Sequence, residues 1–237
     1  MLAPDRRAWE HFNMRRGLQV LLAIGAVVWV AGAARADDRE AFLSGAAASC
    51  NACDLAGVDL NRRELKRARL EGANLAGATL AEASLFRAAL ARANLAGATL
   101  AGANLAGARL GRARLTRTDL QSANLTGADL TGTRLAGARL AGAMMRAVRL
   151  NGQNLRGMDL RGIDFAGADM IEADLTGADL RGADLTGVDL FGATLHGADL
   201  RGAKFDGARL TNAILSDTQR DGATFDDAIM PLGWGKE

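Results

Sequence analysis

Leucine returns every five residues along most of this chain. In the stretch LAGATLAGANLAGARL, residues 95–110, it stands at Leu95, Leu100, Leu105 and Leu110, with Ala98, Ala103 and Ala108 two places before the later three. From Leu55 to Leu215 every fifth residue is apolar; the series breaks at Arg220 and resumes at Phe225 and Met230. Of 36 pentads, 35 have an apolar centre, and 29 of these are leucine. Five residues advance an α-helix by about 500°, so the leucines smear around its axis and form no stripe. On a flat strand five is odd, and successive leucines point to opposite faces. A chain that turns a corner once per pentad points them all inward. If each pentad is one side of a square, four close a coil, and 36 pentads give about nine coils stacked at roughly 4.8 Å, a rod on the order of 43 Å long.

The other columns fit this all-β solenoid. The place two before each centre is mostly alanine, small enough to share a narrow core with leucine. Two places after the centre stands glycine in 22 pentads, which suits tight corners. The place before the centre is mostly Asp, Asn, Thr, Arg or Ser, an outward column. Proline, whose missing N–H would break a stacking ladder, is absent between Pro4 and Pro231.

Units such as Ala123-Asn124-Leu125-Thr126-Gly127 and Ala183-Asp184-Leu185-Thr186-Gly187 resemble the pentapeptide repeat family, A(D/N)LXX in tandem. The resemblance covers residues 52 to 230 and implies a right-handed quadrilateral β-helix. It also brings a functional alternative, because some members mimic duplex DNA and bind DNA gyrase. That role calls for an extensively acidic cytoplasmic rod.

The ends predict a different address. Arg6, Arg7, Arg15 and Arg16 precede an apolar run from Leu18 to Ala34, and Ala34-Arg35-Ala36 has a small-x-small cleavage pattern. Residues 1–36 therefore read as a secretory signal peptide cleaved after Ala36, with Met14 as an alternative start; the rival reading is a retained membrane anchor. Either places the rest outside the cytoplasm, in the periplasm or secreted. Residues 37–50 form an expected N-terminal cap, with Asp37 and Glu40 at capping-box spacing for a short helix. Residues 51–230 are the repeat. Residues 231–237 are a C-terminal cap in which Trp234 offers an apolar lid, and the Arg220 centre suggests a frayed last coil.

Charge divides along the chain. The whole carries 29 Lys+Arg and 27 Asp+Glu. Residues 37–150 hold 16 basic and 10 acidic side chains, and residues 151–237 hold 8 and 15. Such balance argues against strong capture of nucleic acid. The +6/−7 split suggests self-association, or an unidentified protein partner. Membrane contact is expected only through a retained N-terminal segment. Seven of the acids form a ladder, Asp159, Asp164, Asp169, Asp174, Asp179, Asp184 and Asp189, read as a solvated surface with mild repulsion between coils.

Candidate chemistry is sparse. Cys50-Asn51-Ala52-Cys53 falls in the inward columns of the first coil, and an oxidising compartment favours a structural disulfide or a buried thiol pair there. The Cys-x-x-Cys lacks the following His of a haem site and the further ligands of a zinc site. His196 falls in an outer corner, and Arg63 sits in an alanine column of an early, frayed coil. In mid-rod, Val148, Gln153, Met158 and Ile163 replace alanine in four successive pentads, beside Met144 and Met145. They predict either a locally wider coil filled by methionine or a distorted binding patch. No catalytic constellation is recognisable, and no cofactor or metal is expected. The sequence thus points to a non-enzymatic exported rod with a binding or structural role.

Overall fold

The computed structural model describes residues 31–234. The basic start and most of the apolar run of the expected export segment lie outside the described residues.

With two exceptions in mid-rod, residues preceding a pentad centre form a parallel bridge with the residue 20 positions later: Ser49 with Arg69, Asp54 with Asn74, Asp59 with Thr79, Glu64 with Ser84. Four pentads therefore close one coil, and the four bridges mark its four sides. Neighbouring coils are tied on each side by the centre's amide and by the outward residue's amide. Leu55 N–H donates to the Asn74 carbonyl at 2.7 Å, and Asn74 N–H to the Cys53 carbonyl at 2.9 Å. A corner follows each centre, closed by a hydrogen bond such as Ala103 N–H to the Leu100 carbonyl at 3.0 Å. The second corner residue adopts positive φ in every pentad from the one centred on Cys50 to the one centred on Phe225, which explains the glycine column; yet 14 of these left-handed positions are not glycine. Each such residue costs about 1 kcal/mol of backbone strain.

Inside, the leucine and alanine columns form one continuous core. Leu95, Leu100 and Leu105, with Ala103 and Ala108, are fully buried, and Ala98 and Leu110 nearly so. Thr118 takes an alanine position by donating its hydroxyl to the Leu95 carbonyl at 2.8 Å, so its polar atom is satisfied.

Both ends are covered. Helix α1 spans Ala31–Leu43 and buries Phe42 against the first coil. It begins upstream of Asp37, so Asp37 and Glu40 lie within it and the expected capping box does not form. Nor is Arg63 a sign of fraying. From the alanine column its guanidinium donates to the carbonyls of Leu43 (2.9 Å) and Phe42 (3.2 Å), two of the orphan acceptors that end any helix. At the far end Phe225 stacks on Phe205, their ring centroids 5.0 Å apart, and Trp234 tilts onto Phe225 at 5.6 Å. The Arg220 guanidinium lies over the Trp234 ring at 4.6 Å, so the odd centre forms part of the lid.

Candidate functional site: an interrupted ladder

The bridge series fails at two successive sides. Arg114 bridges Arg134, and Asn154 bridges Asp174, but Arg134 and Asn154 do not bridge; nor do Arg139 and Asp159 on the next side. The amides of Leu115, Arg117, Leu120 and Ser122 each reach a carbonyl one coil on, at 2.8–2.9 Å. Their equivalents on the following coil, Leu135, Gly137, Leu140 and Gly142, have no partner among the described residues. The sides before and after stay closed, with Asp129 bridging Arg149 and Met144 bridging Asp164. The result is a cleft of about 760 Å³ between two coils, bordered by Arg134, Leu135, Arg139, Asn154, Met158 and Asp159.

Side-chain size and polarity explain the opening. Gln153 and Met158 stand where most coils carry alanine, above Thr133 and Ala138 of the preceding coil. Overfilling a packed core forces backbone apart. Gln153 is also polar and buried, so it must find partners. Its Nε2 donates to the Thr133 carbonyl at 2.6 Å and to Thr133 Oγ1 at 2.9 Å. In the closed ladder the carbonyl at that place accepts the next coil's amide, as the Gln153 carbonyl accepts Asp174 N–H at 2.9 Å. Gln153 thus displaces a ladder bond of Asn154. Val148 and Ile163, compact and apolar, are buried on the two sides that remain closed. The irregular patch is therefore a split between coils rather than one wide coil. Met145 is buried in the core; Met144 points outward, 46% exposed, and does not belong to the inward set.

The acidic ladder differs from its sequence reading. On one side Asp159, Asp179 and Asp199 stack, and each is gripped by the arginine two residues on. Arg161 bonds Asp159 at 2.7 and 2.6 Å, Arg181 bonds Asp179 at 2.8 and 2.6 Å, and Arg201 bonds Asp199 at 2.9 and 2.6 Å. Arg161 also lies 3.6 Å from Asp179, and Arg181 3.5 Å from Asp199, which joins the pairs into a zipper. Hydrogen bonds from these arginines hold the three carboxyls below the usual carboxylate range, against the opposing effect of desolvation. Arg146, Arg156 and Arg209 pair with Asp164, Asp174 and Asp189 on the other sides. The sequence signal was Asp-Leu-Arg-Gly recurring at residues 159, 179 and 199, one coil apart.

The Cys50 and Cys53 sulfurs are bonded, with Cα atoms 5.3 Å apart and both side chains buried beneath α1. His196 is exposed, its Nδ1 2.9 Å from Ser216 Oγ. Among the described residues no cluster of His, Cys, Asp and Glu could hold a metal ion, and no helix is long and apolar enough to cross a membrane.

A square parallel coil repeating every 20 residues, built on A(D/N)LXX units, defines a class, the pentapeptide-repeat β-solenoids. A family model for pentapeptide repeats matches in eight copies, over residues 46–85, 83–121, 113–152, 123–162, 154–187 and 193–230. The chain belongs to the pentapeptide repeat family, whose members are generally structural or binding proteins rather than enzymes. It is 32% identical to HetL, a pentapeptide repeat protein involved in heterocyst differentiation regulation in the cyanobacterium Nostoc. That match covers 76% of this chain and 86% of HetL, with a TM-score of 0.45. The plasmid-mediated fluoroquinolone resistance protein QnrB1 shares the fold, with TM-score 0.53, 21% identity, and 73% of this chain and 90% of QnrB1 covered. A pentapeptide repeat protein of the Arabidopsis thaliana thylakoid lumen matches 48% of this chain and 72% of its own length, at 29% identity and TM-score 0.27. None of the curated proteins matches the chain in sequence.

Proposed function

We propose that the protein is a non-enzymatic, exported binding rod of about nine right-handed coils, acting on a protein partner in the periplasm or cell envelope. The observation that carries the binding reading is the interrupted ladder. Unpaired backbone donors on Leu135, Gly137 and Leu140 face a cleft, and such an edge takes up an extended segment by hydrogen bonding. Export is supported by the basic, apolar and small-x-small order of residues 1–36 and by the cysteine pair, which suits an oxidising compartment. The alternative of a DNA-mimicking gyrase ligand has the QnrB1 fold in its favour. It asks for an acidic surface, whereas here eight arginines and two acids lie between Arg67 and Arg117.

The test joins location to closure. Cells producing the protein are fractionated, and its N-terminus is sequenced; recovery outside the cytoplasm beginning at Asp37 is expected. Affinity capture from that fraction then compares wild type with Gln153→Ala/Met158→Ala, in which alanine restores the regular column and frees the Thr133 carbonyl for Asn154. The double variant is expected to melt higher and to lose the captured partner. Cytoplasmic retention, or identical capture by both proteins, would refute the reading.

A further inference from the structure

A second surface stands apart from the cleft. One side of the square runs through Arg69, Ala89 and Arg109, bridged in series. The corner before it carries Arg67 and Arg87, and the corner after it carries Arg92 and Arg112. All six arginines are exposed. Among the described residues only Arg109 of the six has a carboxylate within ion-pair distance, Glu71 at 3.8 Å. The other acid of this stretch, Glu82, is held by Arg62 at 3.0 Å. Beyond the six, Arg114 and Arg117 extend the positive surface onto the next side and its corner, also without a carboxylate partner among the described residues.

The backbone gives an independent argument. Arg67, Arg87, Arg92 and Arg112 occupy the left-handed corner position, at φ of 57°, 54°, 60° and 61°. Glycine fills most corners of this rod without strain. Retaining a strained conformation for a long cation whose guanidinium has no hydrogen-bond or carboxylate partner among the described residues points to a use outside the fold. Stacking sets the backbones of Arg67 and Arg87, and of Arg92 and Arg112, about 4.8 Å apart, so like charges are neighbours on the two corners. That arrangement is repulsive in isolation and is relieved by an array of anions. Phe86, beside Arg87 on the same corner, lies under its guanidinium at 5.1 Å, an apolar body with a cation at its edge as found at lipid interfaces.

We infer that this side of the rod and its two arginine corners form a docking surface for an anionic phospholipid bilayer. The guanidinium rows contact headgroup phosphates, and the rod lies with its axis along the membrane. The surface goes beyond the cleft and does not depend on it.

The experiment measures partition into vesicles of phosphatidylglycerol and of phosphatidylcholine, using the protein as recovered from the producing cell. The ratio of the two cancels any contribution from the apolar run at residues 18–34. A preference for phosphatidylglycerol that falls steeply with salt is expected. The variant Arg67→Gly/Arg87→Gly/Arg92→Gly/Arg112→Gly places at these corners the residue used at most others. It is expected to melt no lower than wild type while the preference falls by roughly two to three orders of magnitude. The four Arg→Lys changes are expected to keep most of it. Should the glycine variant fail to fold, Arg69→Asn/Arg109→Asn tests the same face from its outward column, with a smaller loss expected. Equal partition into both lipids, indifference to salt, or an unchanged preference in the variants would overturn the proposal. So would a wild-type dimer in sedimentation that the glycine variant dissolves, which would assign the face to a second copy.

Discussion

Two stretches of one rod handle arginine in opposite ways. Between residues 67 and 117 the arginines stand on corners and outer columns with almost no acid near them. Between residues 159 and 209 nearly every arginine is clasped by an aspartate of its own pentad or of an adjacent coil. The scaffold beneath is the same, with an unbroken series of bridges and a buried apolar column that is all leucine in the first stretch and admits Phe165, Met170 and Phe205 in the second. What differs is register. An arginine two places after an aspartate turns the corner and folds back onto the carboxylate, and the next coil repeats the pair. An arginine with an aspartate neither there nor on an adjacent coil projects into solvent, as Arg87, Arg92 and Arg112 do. The contrast teaches that the outer columns set local charge without altering the interior.

The largest expected effect tests whether the interiors are equal. Leu105→Ala and Leu185→Ala each remove a fully buried centre, one in each stretch. Each is expected to cost about 2–5 kcal/mol in denaturant unfolding. A difference much above about 1 kcal/mol would break the claim of a common core.

Acid sharpens the comparison next. The carboxyls of Asp159, Asp179 and Asp199 titrate below the usual range in the folded protein. Their stabilising contribution is therefore fully present above the unfolded carboxylate value, about 4. It is lost as pH falls through the lowered folded values. Hydrogen exchange compared at pH 6 and pH 3 is expected to show protection lost first along residues 159–201, with residues 67–117 less affected. Uniform loss along the rod would remove the distinction.

The smallest effects come from single charges. Asp179→Asn loosens Arg181 and the adjoining Arg161 and is expected to destabilise by a few tenths to about 1 kcal/mol, as exposed ion-pair networks do. Arg114→Gln, at a residue with no carboxylate partner among the described residues, is expected to lie within about 0.5 kcal/mol of zero. A larger cost for Arg114→Gln than for Asp179→Asn in thermal unfolding would reverse the assignment.

The period alone made the solenoid legible, because no regular helix or flat strand buries every fifth residue together. The inward place of Leu95 or Ala103 and of the cysteine pair followed from the period, whereas the four-sided coil came from the resemblance to the family. The split at Gln153 was legible as an irregularity but not as an opening. Whether a bulky polar residue widens one coil or parts two depends on which carbonyl its amide captures, and that needs coordinates. Arg63 is illegible for a similar reason: an inward arginine looks like a defect until the end of α1 supplies two carbonyls. The Asp-Leu-Arg-Gly recurrence was visible, yet its meaning rests on residues 20 apart being neighbours and on the arginine bending back.

The second corner residue has one more consequence. At most glycine corners an added Cβ would meet nothing within 4 Å. A change there is thus felt by one peptide unit and ignored by the packing. Mutations at these corners can accumulate independently, each with a small fixed backbone penalty and without compensating changes elsewhere. The rod separates a part of its sequence that must be kept from a part that can be rewritten, and a new binding specificity can arise in the second while the first stands still.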